Sequence, residues 1–191
     1  IKVTRGVSDD LSLLAHYPFD GSADDVSGNE NHGTVISADP VADRFSIPNS
    51  AYSFDGVADH IQVSAPNPFI GHELSVSLFV KIPPSSDGGI IVDHDVVGTG
   101  NSDWTLLVTP SGYPQLITGV NQSNYAVTGT TNFKDGFWKH IVATRSSEGV
   151  MTLYVNSVEE ITATSLAGSI ANTSDLQFGC WNNSSGNTSF F

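Results

Sequence analysis

The sequence predicts an all-β protein, built as a two-sheet antiparallel β-sandwich. Three observations lead there. Short runs alternate apolar and polar residues with a period of two. Turn signals rich in Gly, Asn, Asp, Ser and Pro separate those runs at regular spacing. No stretch of useful length carries the 3.6-residue repeat of a helix. At 191 residues, 14% of them charged, the chain is long enough for one large core.

The elements follow in order. Residues 1–12 form a lead-in strand or linker, with strand character over 1–5. Residues 14–19 alternate as a strand and then break into the polar loop DGSADDVSGNENHGT. A short strand over 34–39 ends where Asp39-Pro40 opens a loop. Two short strands, 51–54 and 60–63, flank the Asp55-Gly56 turn. Over 74–82, Leu74, Val76, Leu78 and Val80 share one face, and Ser75, Ser77, Phe79 and Lys81 share the other. Pro83-Pro84 stops that strand. Strands at 89–93, 104–109, 115–120 and 125–128 come next. Residues 137–146, 150–155 and 158–164 form a meander turned at Glu148-Gly149 and Asn156-Ser157, and 175–180 is the last clear strand.

Composition narrows function. Seven basic against 20 acidic residues give a net charge of −13, a surface that repels phosphate backbones and argues against nucleic acid. No apolar run approaches the roughly 20 residues of a membrane span, so no membrane insertion is expected. The lone cysteine, Cys180, rules out an internal disulfide. No signal peptide is visible and the chain opens on Ile1, so a removed leader or an internal piece of a longer protein is expected.

Oxygen donors cluster in the loop after the first strand: Asp20, Asp24, Asp25, Asn29 and Asn31, on a Gly-punctuated turn, could wrap a hard cation such as Ca²⁺. The same residues also cap turns, and the sequence leaves both roles open. A second polar stretch holds Asp93, His94, Asp95, Asn101 and Asp103 beside Trp104. Sugar sites combine an aromatic platform with amides and acids. Trp104 with Asn101 and Asp103, Tyr125 with Asn124, and Trp181 with Asn182 are the candidates. Core packing is the other reading of Trp104, and a solvated loop tip that of the Asp93–Asp95 run.

Four phrases, in order, resemble the laminin-G-like, concanavalin A-like jelly-roll domains: YPFDGSADDVSGNENHGT, NSAYSFDGVADHIQV, LSVSLFVKIP and DGFWKHIVATRSSEGVMTLYVNSVEE. The resemblance implies a jelly roll over residues 13–191, with Trp138 in its core and a structural Ca²⁺ near the first loop, held by Asp20, Asp25 and Asn31. Asp93, His94 and Asp95 would hold a second Ca²⁺ near the ligand, as in calcium-dependent lectins. The family's closing strand, with its two adjacent acids, has no counterpart before Phe191. The domain is therefore expected to be incomplete at its C-terminus, with the lead-in or another chain covering the edge beside the first strand.

Glycanases of this fold carry paired carboxylates along one strand. No E-x-D-x-x-E pattern occurs, and neither a nucleophile elbow nor a zinc-spaced His pair is present. The sequence therefore predicts no enzyme. It predicts a calcium-assisted carbohydrate-binding module of a secreted or surface protein, with a cell-surface glycan as partner. A protein-binding or spacer domain of a large extracellular adhesin is the alternative.

Overall fold

The computed structural model describes residues 1–5, 12–64, 71–95, 103–170 and 172–181. Fifteen strands run through these residues. They are β1 (Lys2–Arg5), β2 (Ser12–His16), β3 (Thr34–Ile36), β4 (Asp39–Val41), β5 (Ala51–Ser53), β6 (His60–Val63), β7 (Leu74–Lys81) and β8 (Gly89–His94). The rest are β9 (Asp103–Val108), β10 (Pro114–Val120), β11 (Ser123–Thr128), β12 (Trp138–Arg145), β13 (Val150–Val155), β14 (Val158–Thr164) and β15 (Leu176–Phe178). A six-stranded sheet runs β14-β13-β12-β7-β1-β2, a seven-stranded sheet runs β11-β10-β9-β8-β15-β6-β3, and β4-β5 is a separate hairpin. Every strand pairing is antiparallel, the two-sheet sandwich that the alternation implies.

The core lies between the inner faces of the two sheets. Val3, Ala15, Val76, Leu78, Ile141, Ala143 and Leu153 come from the six-stranded sheet, and Ile61, Val92, Trp104, Leu106, Leu116 and Phe178 from the other. On β12 the apolar pair Ile141 and Ala143 points inward, which carries Lys139 and Arg145 inward too. Both charges escape at the strand ends. Lys139 Nζ bonds Asp135 Oδ2, and the Arg145 guanidinium donates to the carbonyls of His72 and Leu166 and to Ser165 Oγ. Trp138 consequently stands on the outer face, which corrects its expected place in the core.

β1 lies between β2 and β7, so the lead-in covers the edge beside the first strand. β2 then becomes the outermost strand of its sheet. Its free edge is covered by the loop that follows it. The His16 N–H donates to Asp25 Oδ1 (2.8 Å), and Asn29 Nδ2 donates to the Leu13 carbonyl (2.7 Å). Asn31 Nδ2 donates to the Leu14 carbonyl (2.8 Å). Side chains thus stand in for a neighbouring strand.

One strand escaped the sequence. Asp39-Pro40 reads as a loop start, yet both residues lie in β4, paired with Ser53 and Tyr52. Proline is tolerated because β4 belongs to a two-stranded hairpin with a free edge.

Candidate functional site

The structure divides the residues singled out by the sequence. Asp25 is buried, and its carboxylate accepts four hydrogen bonds: the backbone N–H groups of His16, Ser27 and Asn31 and the Ser27 hydroxyl. Burial pushes its pKa up, but these bonds together outweigh that and hold the group below the usual carboxylate range. Asn31 donates to β2, and its carbonyl accepts the Tyr17 hydroxyl (2.7 Å). Asp20 is exposed on the turn. With Asp25 saturated by N–H and O–H donors, Asp20, Asp25 and Asn31 do not fit a Ca²⁺ ion here. No group of three or more His, Cys, Asp or Glu side chains among the described residues is arranged to hold a metal.

The second candidate cluster is split by the β pleat. His94 and Trp104 point into the core, both fully buried, their rings stacked at 5.8 Å. Burial lowers the His94 pKa to about 4, so its ring is neutral at pH 7. Tyr125 also packs against the core. His94 and Trp104 are corrected from ligand contacts to packing residues, whereas Tyr125 is only partly buried. Asp93, Asp95 and Asp103 lie together on the outer side of the same sheet, though Asp93 and Asp103 are buried there. Asp93 Oδ1 accepts the Thr105 hydroxyl (2.6 Å). Asp103 packs so closely on Gly119 that any side chain there would collide with its carboxylate, and it accepts the Gly119 N–H. Burial, and then its hydrogen bond to Asp95, push the Asp103 carboxyl up to about 7. Asn124 is exposed opposite Gly119, and Trp181 is half-buried. Asn101 and Asn182 lie outside the described residues. Cys180 is buried, its thiol pushed up to about 12 by desolvation, which makes it an inert packing residue.

A different region has the geometry of a ligand site. A cleft of about 810 Å³ opens where β7 ends and β12 begins, walled by the β4-β5 hairpin and the loop after β7. Its floor is an aromatic series leading out from the core. Tyr17 packs edge-on to Phe178 at 5.3 Å, Phe178 to Phe19 at 6.1 Å, and Phe19 to Tyr52 at 5.4 Å. Gly179, with φ of 86°, keeps this floor open to Phe54, because a Cβ there would stand 2.5 Å from the Phe54 ring. On the outer face of the six-stranded sheet, Trp138 pairs with Lys81 and His140 with Phe79.

Phe79 is held from both sides. His140 stacks on it at 4.6 Å, and the Arg44 guanidinium lies 3.7 Å from its ring centroid, also reaching Phe45 at 4.3 Å. Ser77 Oγ fixes His140 through Nε2 (2.9 Å). Burial, then the charge of Arg44, lower the His140 pKa below its ordinary value. The turn bearing Arg44 is set by Asp43, whose carboxylate accepts the N–H groups of Phe45 and Ile47. Asp55 caps its own turn in the same way, through Val57 and Ala58.

Arg44, Tyr52, Phe79 and Lys81 were not among the sequence candidates. One signal was present: Phe79 shares a strand face with Ser75, Ser77 and Lys81, where a large aromatic is out of place. Nothing local marks Arg44, whose partner ring lies on another element.

Comparison with known proteins places this geometry in a family. The family described as the concanavalin A-like lectin/glucanases superfamily matches residues 55–191. None of the curated proteins matches the chain. Among solved structures, the binding domain of Paraclostridial Mosquitocidal Protein 1 superposes with a TM-score of 0.64 at 16% identity, over 93% of this chain and 43% of that one. The receptor-binding domain of botulinum neurotoxin C/D mosaic serotype gives 0.64 at 15%, over 100% and 44%. The botulinum neurotoxin serotype D ligand-binding domain, in complex with N-acetylneuraminic acid, gives 0.60 at 17%, over 100% and 43%. The chain spans less than half the length of each of these. At these identities the likeness is one of fold. With residues 55–191 of its 191 matched by the family, the chain belongs to the concanavalin A-like lectin/glucanases superfamily, as a laminin G-type domain.

Proposed function

We propose that this domain is a non-catalytic carbohydrate-binding module of a secreted or surface protein, and that its ligand lies in the cleft between the β4-β5 hairpin and the outer ends of β7 and β12. The observation that carries this reading is aromatic surface outside the core. Trp138 lies on the solvent side of β12 and offers a ring to an open cleft, which Phe79, 41% exposed but with its faces taken by His140 and Arg44, lines together with Lys81 and Ser86. Sugar rings stack their apolar faces on such rings and give their hydroxyls to nearby polar groups. A botulinum neurotoxin serotype D ligand-binding domain solved in complex with N-acetylneuraminic acid shares this fold over 43% of its length, which supports a binding role at the level of architecture.

Binding without turnover fits the cleft's acids. Asp43, Asp55 and Asp87 line the cleft from loops, not along one strand as in the glycanases of this fold, and Asp43 and Asp55 each accept two turn N–H groups at Oδ1. Calcium has no role in this reading.

A glycan array probed with the folded chain, and with Trp138→Ala, tests it. Binding to a related set of sugars is expected, equal in calcium and in chelator. Trp138→Ala should weaken binding roughly tenfold or more, about 1.4 kcal/mol, with its melting temperature nearly unchanged. Silence from folded protein would overturn the reading and favour a protein partner. Phe45, Ile47, Val57 and Phe137, all exposed, provide an apolar surface of the kind such a partner covers.

A further inference from the structure

We propose that Arg44 is the anion receptor of this cleft, and that the preferred ligand is a glycan ending in a single carboxylated pyranose. The inference rests on the reading of the cleft as a sugar site.

Four observations carry it. Among the described Lys and Arg side chains, three have no ion pair or hydrogen bond within the protein: Lys2, Arg44 and Lys81. All three gather on one side of the molecule. Lys2 and Lys81 belong to the outer face of the six-stranded sheet, and Arg44 packs on Phe79 of that face. The other Lys and Arg side chains among the described ones are engaged: Lys134 on the Pro110 carbonyl, Lys139 on Asp135, Arg145 in its buried clamp. In a chain of net charge −13, uncommitted positive charge is therefore concentrated beside the cleft.

Arg44 is also positioned for the task. Its guanidinium lies over Phe79 and Phe45, which holds the group in place without using an N–H donor. A planar fork held this way offers two parallel donors to a carboxylate. Three acids also line the cleft, Asp43, Asp55 and Asp87; none is ion-paired with Arg44, and Asp43 turns its Oδ1 to the Phe45 and Ile47 N–H groups.

The net charge decides how much anion is tolerated. A polyanion such as a sulfated chain would meet the −13 field over its whole length, whereas one carboxylate on a neutral glycan meets it once. Sialic and uronic acids share this chemistry, and the test separates them.

Titration calorimetry with the full chain would use lactose, sialyllactose and lactose capped with glucuronic acid. At least one acidic cap should bind about tenfold more tightly than lactose. Arg44→Gln, melting like the parent, should abolish that preference, so that the acidic caps bind this variant no more tightly than lactose binds it. Arg44→Lys should restore only part of it, because an ammonium cannot make the forked contact. A preference that survives Arg44→Gln, or no preference at all, overturns the inference. If lactose binds, Trp138→Ala removes that binding and the acidic caps add nothing, Arg44 is not the receptor but the cleft remains a sugar site. If none of the three binds, the inference is likewise overturned, and the array alone then decides the reading of the cleft.

Discussion

Asp25 and Asp103 are both buried carboxylates, yet their surroundings drive them in opposite directions. Asp25 meets N–H and O–H donors that favour its charged form, whereas Asp103 meets desolvation and a second carboxylate. The depressed pKa of Asp25 contributes stability that is present above the unfolded carboxylate value and is lost as pH falls through the folded one. Asp25→Ala strands the N–H groups of His16 and Asn31, and should cost about 1–3 kcal/mol in urea unfolding at pH 7. If its stability is unchanged, the loop is not held by this carboxylate. Asp103 has the reverse sign. Its folded pKa is raised to about 7, so the native state holds a proton that the unfolded chain releases at lower pH, and stability declines as pH rises between about 4 and 7. Asp103→Asn keeps an acceptor for the Gly119 N–H and offers Asp95 a permanent donor. It should flatten that decline and raise stability at pH 8 by roughly 1–2 kcal/mol. Thermal melts at several pH values check this, and a slope equal to the parent's would show that the pair is not coupled.

The elements add a second level, where polar side chains complete what strands leave open. β2 relies on Asn29 and Asn31 to satisfy the carbonyls of Leu13 and Leu14. Replacing both by Ala should remove about 1–2 kcal/mol and leave an edge ready to pair with another chain. Sedimentation velocity should then show concentration-dependent self-association, and a strictly monomeric variant with an unchanged melt would mean that something else guards the edge. β12 depends on Arg145, whose loss strands the carbonyls of His72 and Leu166. Arg145→Ala should cost about 3–5 kcal/mol, read as a shift in the urea midpoint. These two cases show how far the sequence could be read. Its period-two pattern exposed the strands, because each buried one face. Asp25 and Asn31 were visible as a special group, but their partners were not: a carboxylate suited to a cation equally suits a strand edge, and only the fold brings His16 N–H within 2.8 Å. Trp104 and Trp138 were not equally legible. β12 mixes polar and apolar residues on each face, so alternation alone could not choose the inner one, whereas on β9 Trp104 shares an apolar face with Leu106 and Val108, which agrees with the core reading. Arg44 was illegible because its meaning lies in a contact with Phe79, 35 positions away in the chain (79 − 44).

On the scale of the whole molecule, two fields of opposite sign act on an anionic ligand. The net charge of −13 acts at long range and opposes approach. The charge of Arg44 acts at contact and opposes departure. Salt separates them, because at 0.1 M the Debye length is about 10 Å, shorter than the reach of a field summed over the whole surface. For the carboxylated glycan of the proposed site, the association rate should rise as salt increases from low to physiological strength, while the dissociation rate also rises as the Arg44 contact is screened. Arg44→Gln should raise the dissociation rate and remove most of its salt dependence, yet leave the association rate still climbing with salt. Stopped-flow or surface-based kinetics across a salt series measures both rates at once. An association rate that falls with added salt would mean that the cationic face, with Lys2 and Lys81 beside Arg44, dominates the approach and steers the ligand in. The acidic remainder of the surface would then serve solubility without filtering ligands by charge.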